Sequence, residues 1–182
     1  MHSVDFAVKR GVVMDPVQRE VEHKRLIEDL GILFDEMGLP RMAGRILGWL
    51  LMCNPPYQSA AELRAVVAGS KGTISTMTWL LIHGGLVERF GMPGSRATYY
   101  RIKPGSWSEL MKSRMASVKA MRDLSERGLA LMEGESPEVR GRLEEMRDFY
   151  AFLEQEVVPL LERWEKRPLE HRVPVENGTA TT

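Results

Sequence analysis

The chain has 182 residues, of which 43% are apolar and 27% charged, with 25 basic and 25 acidic side chains in balance. This is the composition of a globular protein long enough to bury a core without cross-links, and it excludes a uniformly basic chain that coats nucleic acid. A single cysteine, Cys53, rules out an intrachain disulfide and fits a reducing compartment.

Residues 1–14 lack periodicity and read as an N-terminal arm, with no apolar leader stretch. Asp15-Pro16 is a helix start, an N-cap followed by a proline at the first helical position. Apolar residues then recur at three- and four-residue steps (Val17, Val21, Ile27/Leu30, Leu33/Phe34, Met37), which predicts an amphipathic helix ending at Gly38. The run from Arg41 to Cys53 is apolar nearly all round, so it reads as a buried helix. Gly44 and Gly48 lie one turn apart in it and permit close approach of a neighbour. Asn54-Pro55-Pro56 ends it.

Ser59-x-x-Glu62 is a capping box opening a short helix through Leu63, Val66 and Val67, which Gly69 is expected to terminate. Ser70 caps the next helix, which runs through Ile74, Met77 and Leu81 to Gly84-Gly85. The period then changes to two. Leu86–Phe90 and Thr98–Ile102 read as the strands of a hairpin around the turn-forming 91–95. A long helix follows from Ser106 or Ser108 to about Met132. Ser136-Pro137 starts another, in which Val139, Leu143, Met146, Tyr150, Leu153, Val157, Leu160 and Trp164 alternate four- and three-residue steps. That is the seam of a helix pair or bundle. Pro159 inside it is expected to kink the helix without ending the pattern. Residues 168–182 read as a flexible tail. No stretch approaches the roughly 20 apolar residues of a membrane helix, so a cytoplasmic protein with no membrane partner is expected.

The overall charge balance hides a segregation. Residues 59–103 carry 6 basic and 2 acidic side chains, while the segments before and after are slightly acidic. The basic segment is also the one that reads helix, short turn, helix, hairpin. This is a winged helix-turn-helix, in which the second helix enters the DNA major groove and its first turns reach base edges. Ser70, Lys71, Gly72, Thr73, Ser75 and Thr76 occupy those turns. Hydroxyls bond to phosphates or bases, Gly72 leaves room for approach, and the free amides of a helix start favour phosphate. Arg89, Arg96 and Arg101 are spread over the hairpin, where each can neutralise a phosphate. Each feature alone has a plainer reading: hydroxyls cap helices and hairpin arginines are solvated. The case for DNA rests on their order, spacing and shared charge.

The stretch Ser59–Phe90, with its Ser-Lys-Gly-Thr-Ile-Ser run and Gly-Leu-Val-Glu-Arg turn, resembles the winged helix-turn-helix of MarR-type bacterial transcription regulators. The Leu39–Leu51 run looks like the GbsR-like branch. The likeness implies a mainly α fold with a small β-hairpin and a dimeric regulator. It also implies DNA contacts from Lys71, Gly72, Thr73, Ser75, Thr76 and Arg96. Trp79 departs from it, because members more often carry a polar residue there, and packing against the terminal arm or a partner is the alternative to facing DNA.

On this reading residues 15–104 form the DNA-binding domain with its leading helix, and 105–167 form a helical dimerisation domain. The partners are double-stranded DNA, a second copy of the chain and a small-molecule effector. The seam from Val139 to Trp164 is expected in the dimer interface, and helix 15–37 is a further contributor. The alternative is an antiparallel pairing of the two long helices within one chain. Trp49, Trp107, Met111 and Phe149 are candidates for an effector pocket. Aromatic rings can cage a cation, and the GbsR-like likeness points to choline-like molecules, while core packing is the plainer role.

Enzyme chemistry finds no support. His2, His23, His83 and His171 have no metal-ligand spacing, and Gly69-Ser70-Lys71-Gly72-Thr73 lacks both the first glycine and the preceding strand of a phosphate loop. No cofactor or metal is expected. Cys53 looks buried and inert, with redox sensing the less favoured role. The competing class is a winged-helix module that assembles with proteins and does not read DNA. It gains if acidic residues such as Glu62 and Glu88 break up the basic face.

Overall fold

The computed structural model describes residues 15–167; the arm at 1–14 and the tail at 168–182 lie outside the described residues. Helix α1 (Pro16–Glu36) follows Asp15 at the N-cap, and α2 (Arg41–Met52) follows the Gly38–Pro40 break. Strand β1 (Gln58–Ser59) leads into α3 (Ala60–Val67), then α4 (Lys71–His83), and β2 (Val87–Gly91) and β3 (Thr98–Ile102) form the hairpin. Helices α5 (Ser106–Leu131) and α6 (Pro137–Glu165) complete the chain. The residues fall into two compact units, one ending at Ser106 and the other beginning at Trp107.

In the first unit α2 is the hub, packing against α1, α3, α4 and β3. Ala43, Ile46, Leu47 and Leu50 of α2 are buried with Leu63, Val67, Ile74 and Leu81 of the next two helices. The face of α2 toward α1 is made of glycine. A methyl group on Gly44 would run into the carbonyl oxygen of Leu30 and come within 2.9 Å of Phe34 Cβ. One on Gly48 would sit 3.2 Å from Ile27 Cα. The close approach foreseen from Gly44 and Gly48 is therefore a backbone-to-backbone contact. Glu28 of α1 clamps the same seam by pairing with both Arg41 (3.0 Å) and Arg45 (2.8 Å).

Three details depart from the expectations drawn from sequence. The residue that turns the chain after α3 is Ala68, left-handed at φ 52°, and not Gly69. The hairpin extends to Gly91, a residue expected in the turn, and a third strand joins it. The two residues of β1 pair antiparallel with β3, Gln58 with Tyr100 and Ser59 with Tyr99, giving the order β1-β3-β2. The apolar stripe of α1 is only partly used: Ile27 and Phe34 are buried, whereas Val17, Val21, Leu33 and Met37 stay exposed.

In the second unit α5 and α6 run antiparallel and are tied by polar pairs along their length. Lys112 and Ser108 both reach Glu165 (2.6 and 3.1 Å), Arg122 reaches Glu154 (2.8 Å), and Arg140 donates to the Met132 carbonyl (3.0 Å). Gly128 leaves room for Leu143. Helix α6 continues through Pro159 and has no buried residue. No described helix is long and apolar enough to cross a membrane.

Replacing Gly44 with alanine should cost roughly 1–3 kcal/mol, the usual range for overpacking, because the obstacle is a backbone carbonyl with little freedom to yield. Urea unfolding followed by circular dichroism measures this. An unchanged midpoint would mean that α1 shifts freely on α2.

Candidate nucleic-acid interface

Helix α4 is anchored from below and bare on top. Ile74, Thr78 and Leu81 are buried, and Thr78 returns its hydroxyl to the Ile74 carbonyl (2.8 Å). At roughly 100° per residue the opposite face carries Gly72, Ser75, Thr76, Trp79 and His83. All of these are exposed.

The helix start is well defined. Ser70 Oγ accepts from the Thr73 amide (3.0 Å) and shares a hydrogen bond with the Thr73 hydroxyl (2.8 Å). These two hydroxyls are therefore engaged in the cap, while those of Ser75 and Thr76 face outward. The preceding helix is held by the full capping box: Glu62 accepts from the Ser59 amide (2.6 Å), and Ser59 Oγ accepts from the Glu62 amide (3.3 Å). The hydrogen bond from the Ser59 side chain, reinforced by its backbone, holds the Glu62 carboxyl below the usual glutamate range.

The hairpin divides its arginines. Cross-strand neighbours share a face, so Glu88, Phe90, Tyr99 and Arg101 lie on one side of the ribbon and Arg89 on the other. Arg101 donates to Glu88 at 2.6 Å and lies 4.8 Å over the Phe90 ring. Tyr57 packs edge-on against both Phe90 (5.7 Å) and Tyr99 (5.6 Å), which seats the hairpin against the segment leading into α3. Arg96, near the tip, is exposed, as are Arg89 and Lys71. None of these three has a carboxylate partner among the described residues.

The structure thus leaves Lys71, Ser75, Thr76, Arg89 and Arg96 open, gives Ser70 and Thr73 to the cap, and commits Arg101 to Glu88. Of the two acids that threatened to interrupt the basic face, Glu88 is neutralised by Arg101, whereas Glu62 stays charged and exposed in its cap. The feature that sequence reasoning missed here is the Glu88–Arg101–Phe90 cluster, whose signal was the cross-strand register.

Residues proposed from sequence for other roles are dispersed. Trp49 is half-buried in the first unit. Trp107 and Met111 lie at the start of α5, near Glu165. Phe149 lies across from the stretch between Arg122 and Gly128, roughly four turns further along the pair. Within the second unit, then, Phe149 shares no pocket with Trp107 and Met111. The seam from Val139 to Trp164 is offset by roughly 70° from the stripe of Leu143, Glu154, Leu161 and Glu165 that meets α5. Leu143 belongs to both, Met146, Tyr150, Leu153 and Val157 are half-buried, and Val139, Leu160 and Trp164 are exposed. Among the described residues no cluster of His, Cys, Asp or Glu is arranged to hold a metal.

A family model described as MmpR5-like MarR family transcriptional regulator matches residues 105–167. The HTH-type transcriptional regulator MmpR5 of Mycobacterium tuberculosis (strain ATCC 25618 / H37Rv) is 36% identical over 162 residues, spanning 89% of this chain and 97% of that protein. The chain belongs to the MmpR5-like MarR family of transcriptional regulators. The crystal structure of another transcriptional regulator is 37% identical, covers 80% of this chain and 99% of its own, and superposes with a TM-score of 0.69. The mainly helical fold with its small antiparallel sheet is that of the family, and the chain is a DNA-binding regulator of transcription, not an enzyme.

Cys53 is buried, and burial pushes its thiol up to about 11. The reactive thiolate is therefore scarce at any physiological pH. Alkylation by iodoacetamide in mildly alkaline buffer should be slow in the folded protein and fast in urea, as read by mass spectrometry. Rapid labelling of the folded protein would reopen a redox role.

Proposed function

We propose that the protein acts as a homodimer that reads an operator of two half-sites, with the first two turns of α4 in the major groove and the hairpin wing on the backbone or in the minor groove. The observation that carries this is the bare face of α4. A glycine, two outward hydroxyls and Lys71 sit at a helix start, and the hairpin adds Arg89 and Arg96, both exposed and without carboxylate partners among the described residues. Small side chains admit the helix to the groove, and uncommitted cations neutralise phosphate. Ser70 and Thr73 contribute by fixing the helix start, with the Thr73 amide spent on Ser70 Oγ. Arg101 contributes less charge because Glu88 already balances it.

The dimer reading places residues 15–104 as the DNA-binding domain and 105–167 as the dimerisation domain. Helix α6 spends one stripe on α5, and an apolar face is left beside it: Phe149, Phe152, Leu160 and Trp164 are exposed in one chain, at 55%, 58%, 54% and 43%. Exposed apolar residues gathered on one helix mark an interaction surface, and a second copy is the occupant we assign to it. Two-fold symmetry then sets two copies of α4 about one helical turn of DNA apart. The exposed Val17, Val21, Leu33 and Met37 of α1 make that helix a second contributor.

A small-molecule effector acting on this dimer in the cytoplasm completes the reading. The resemblance of Leu39–Leu51 to the GbsR-like branch is what favours a choline-like cation. Met115, Val158 and Leu161, with Lys112, Glu162 and Glu165, line an open groove of about 290 Å³ between α5 and α6, where Lys112 already pairs with Glu165 (2.6 Å) and Glu162 supplies the remaining acidic contact.

A salt titration on duplexes enriched from genomic fragments tests the DNA contacts. The variant carrying Lys71→Ala and Arg96→Ala loses four phosphate contacts across the dimer and should lose about 3.6 from the slope of log affinity against log salt. An unchanged slope would remove both residues from the interface. For the assembly, Leu160→Asp should convert a sedimenting dimer into a monomer with its helical content intact, and persistence of the dimer would place the interface elsewhere.

A further inference from the structure

Trp79 is the largest side chain on the bare face of α4, and 57% of it is open to solvent. Among the described residues its ring contact is with His83: the two rings stack at 3.8 Å between centroids and 28° between planes. His83 Nδ1 lies 2.9 Å from the carbonyl oxygen of Trp79, one turn back. The imidazole is thus tied to the backbone and the indole lies flat against it, so the ring is held in one orientation. A residue of this kind ordinarily buries most of its large apolar surface, and the described residues leave more than half of it open.

Its position says what covers it. At roughly 100° per residue, Trp79 falls close in angle to Gly72, Ser75 and Thr76, one turn nearer the C-terminus. The face is therefore small where the helix begins and large one turn later, a wedge that admits its tip deeply and stands an aromatic ring at the groove wall. The face carries no acidic side chain, and Lys71 borders it, so its electrostatics suit DNA and not an acidic protein surface. Inside a major groove, an apolar ring face gains most against the C5-methyl group of thymine. Against the other base edges it covers donors or acceptors without pairing them.

We infer that Trp79 is a specificity-determining residue that packs its ring on a thymine methyl group at one position of each half-site, with His83 as the positioning residue that holds the ring. The inference rests on α4 being the reading helix.

The test uses the full-length protein and duplexes that the wild type selects from a random-sequence library. In the best duplex each thymine is replaced in turn by uracil, which deletes the methyl group alone. One symmetric pair of positions should weaken wild-type binding about fourfold per methyl, the weight of one buried methyl-sized group. Trp79→Ala should be indifferent to uracil at that position, Trp79→Phe should keep the discrimination, and His83→Ala should lose part of it with an unchanged melting temperature. Equal responses of wild type and Trp79→Ala at every thymine would overturn the assignment while leaving α4 as the reading helix. Failure of the wild type to select any sequence would overturn both.

Discussion

The carbonyl oxygen of Leu30 occupies the place where any side chain on Gly44 would have to go. This contact lets α1 lie against the backbone of α2, and Gly48 and Gly31 extend it on either side. Because α2 is covered so closely on one flank, its other flank is free to act as core for α3, α4 and the sheet. Ile46, Leu47 and Leu50 supply that core, and Ile74 and Leu81 of α4 are fixed against it. The outward face of α4 is bare because its inward face is fully used.

Much of this architecture was legible in the sequence because it is written in local chemistry. The caps at Ser59 and Ser70, the Pro16 and Pro137 starts and the strand Thr98–Ile102 are each encoded within a few residues. What escaped notice depends on partners distant in sequence. Strand β1 is two residues long and exists through its pairing with Tyr99 and Tyr100, so no periodicity could reveal it. The pairing of Arg101 with Glu88 follows from the register of the hairpin, not from either residue's neighbours. Ala68 in place of Gly69 as the left-handed residue is a one-position matter that glycine preference alone misjudges.

The candidate site was legible in location but not in detail. Sequence reading placed nine residues in it on equal terms. The structure sorts them by what each is already doing: Ser70 and Thr73 are bonded to each other, Arg101 is neutralised, and Lys71, Arg89 and Arg96 are uncommitted. The helical half shows a similar gap. A heptad pattern reports that a stripe is apolar, but not which neighbour it meets, and here the stripe is split between α5 and an outward face.

The left-handed Ala68 has a dynamic consequence. A non-glycine residue in that conformation stores roughly 1–2 kcal/mol, and it persists because the elements on both sides are pinned, α3 by its capping box and Val67, α4 by its own cap and Ile74. A turn this short and this constrained has no slack to act as a hinge. The two helices are built to move together, so any rearrangement that reorients α4 carries α3 with it as one rigid lever. The pivot then lies outside the helix-turn-helix, and a change within the turn itself is a poor way to switch the regulator.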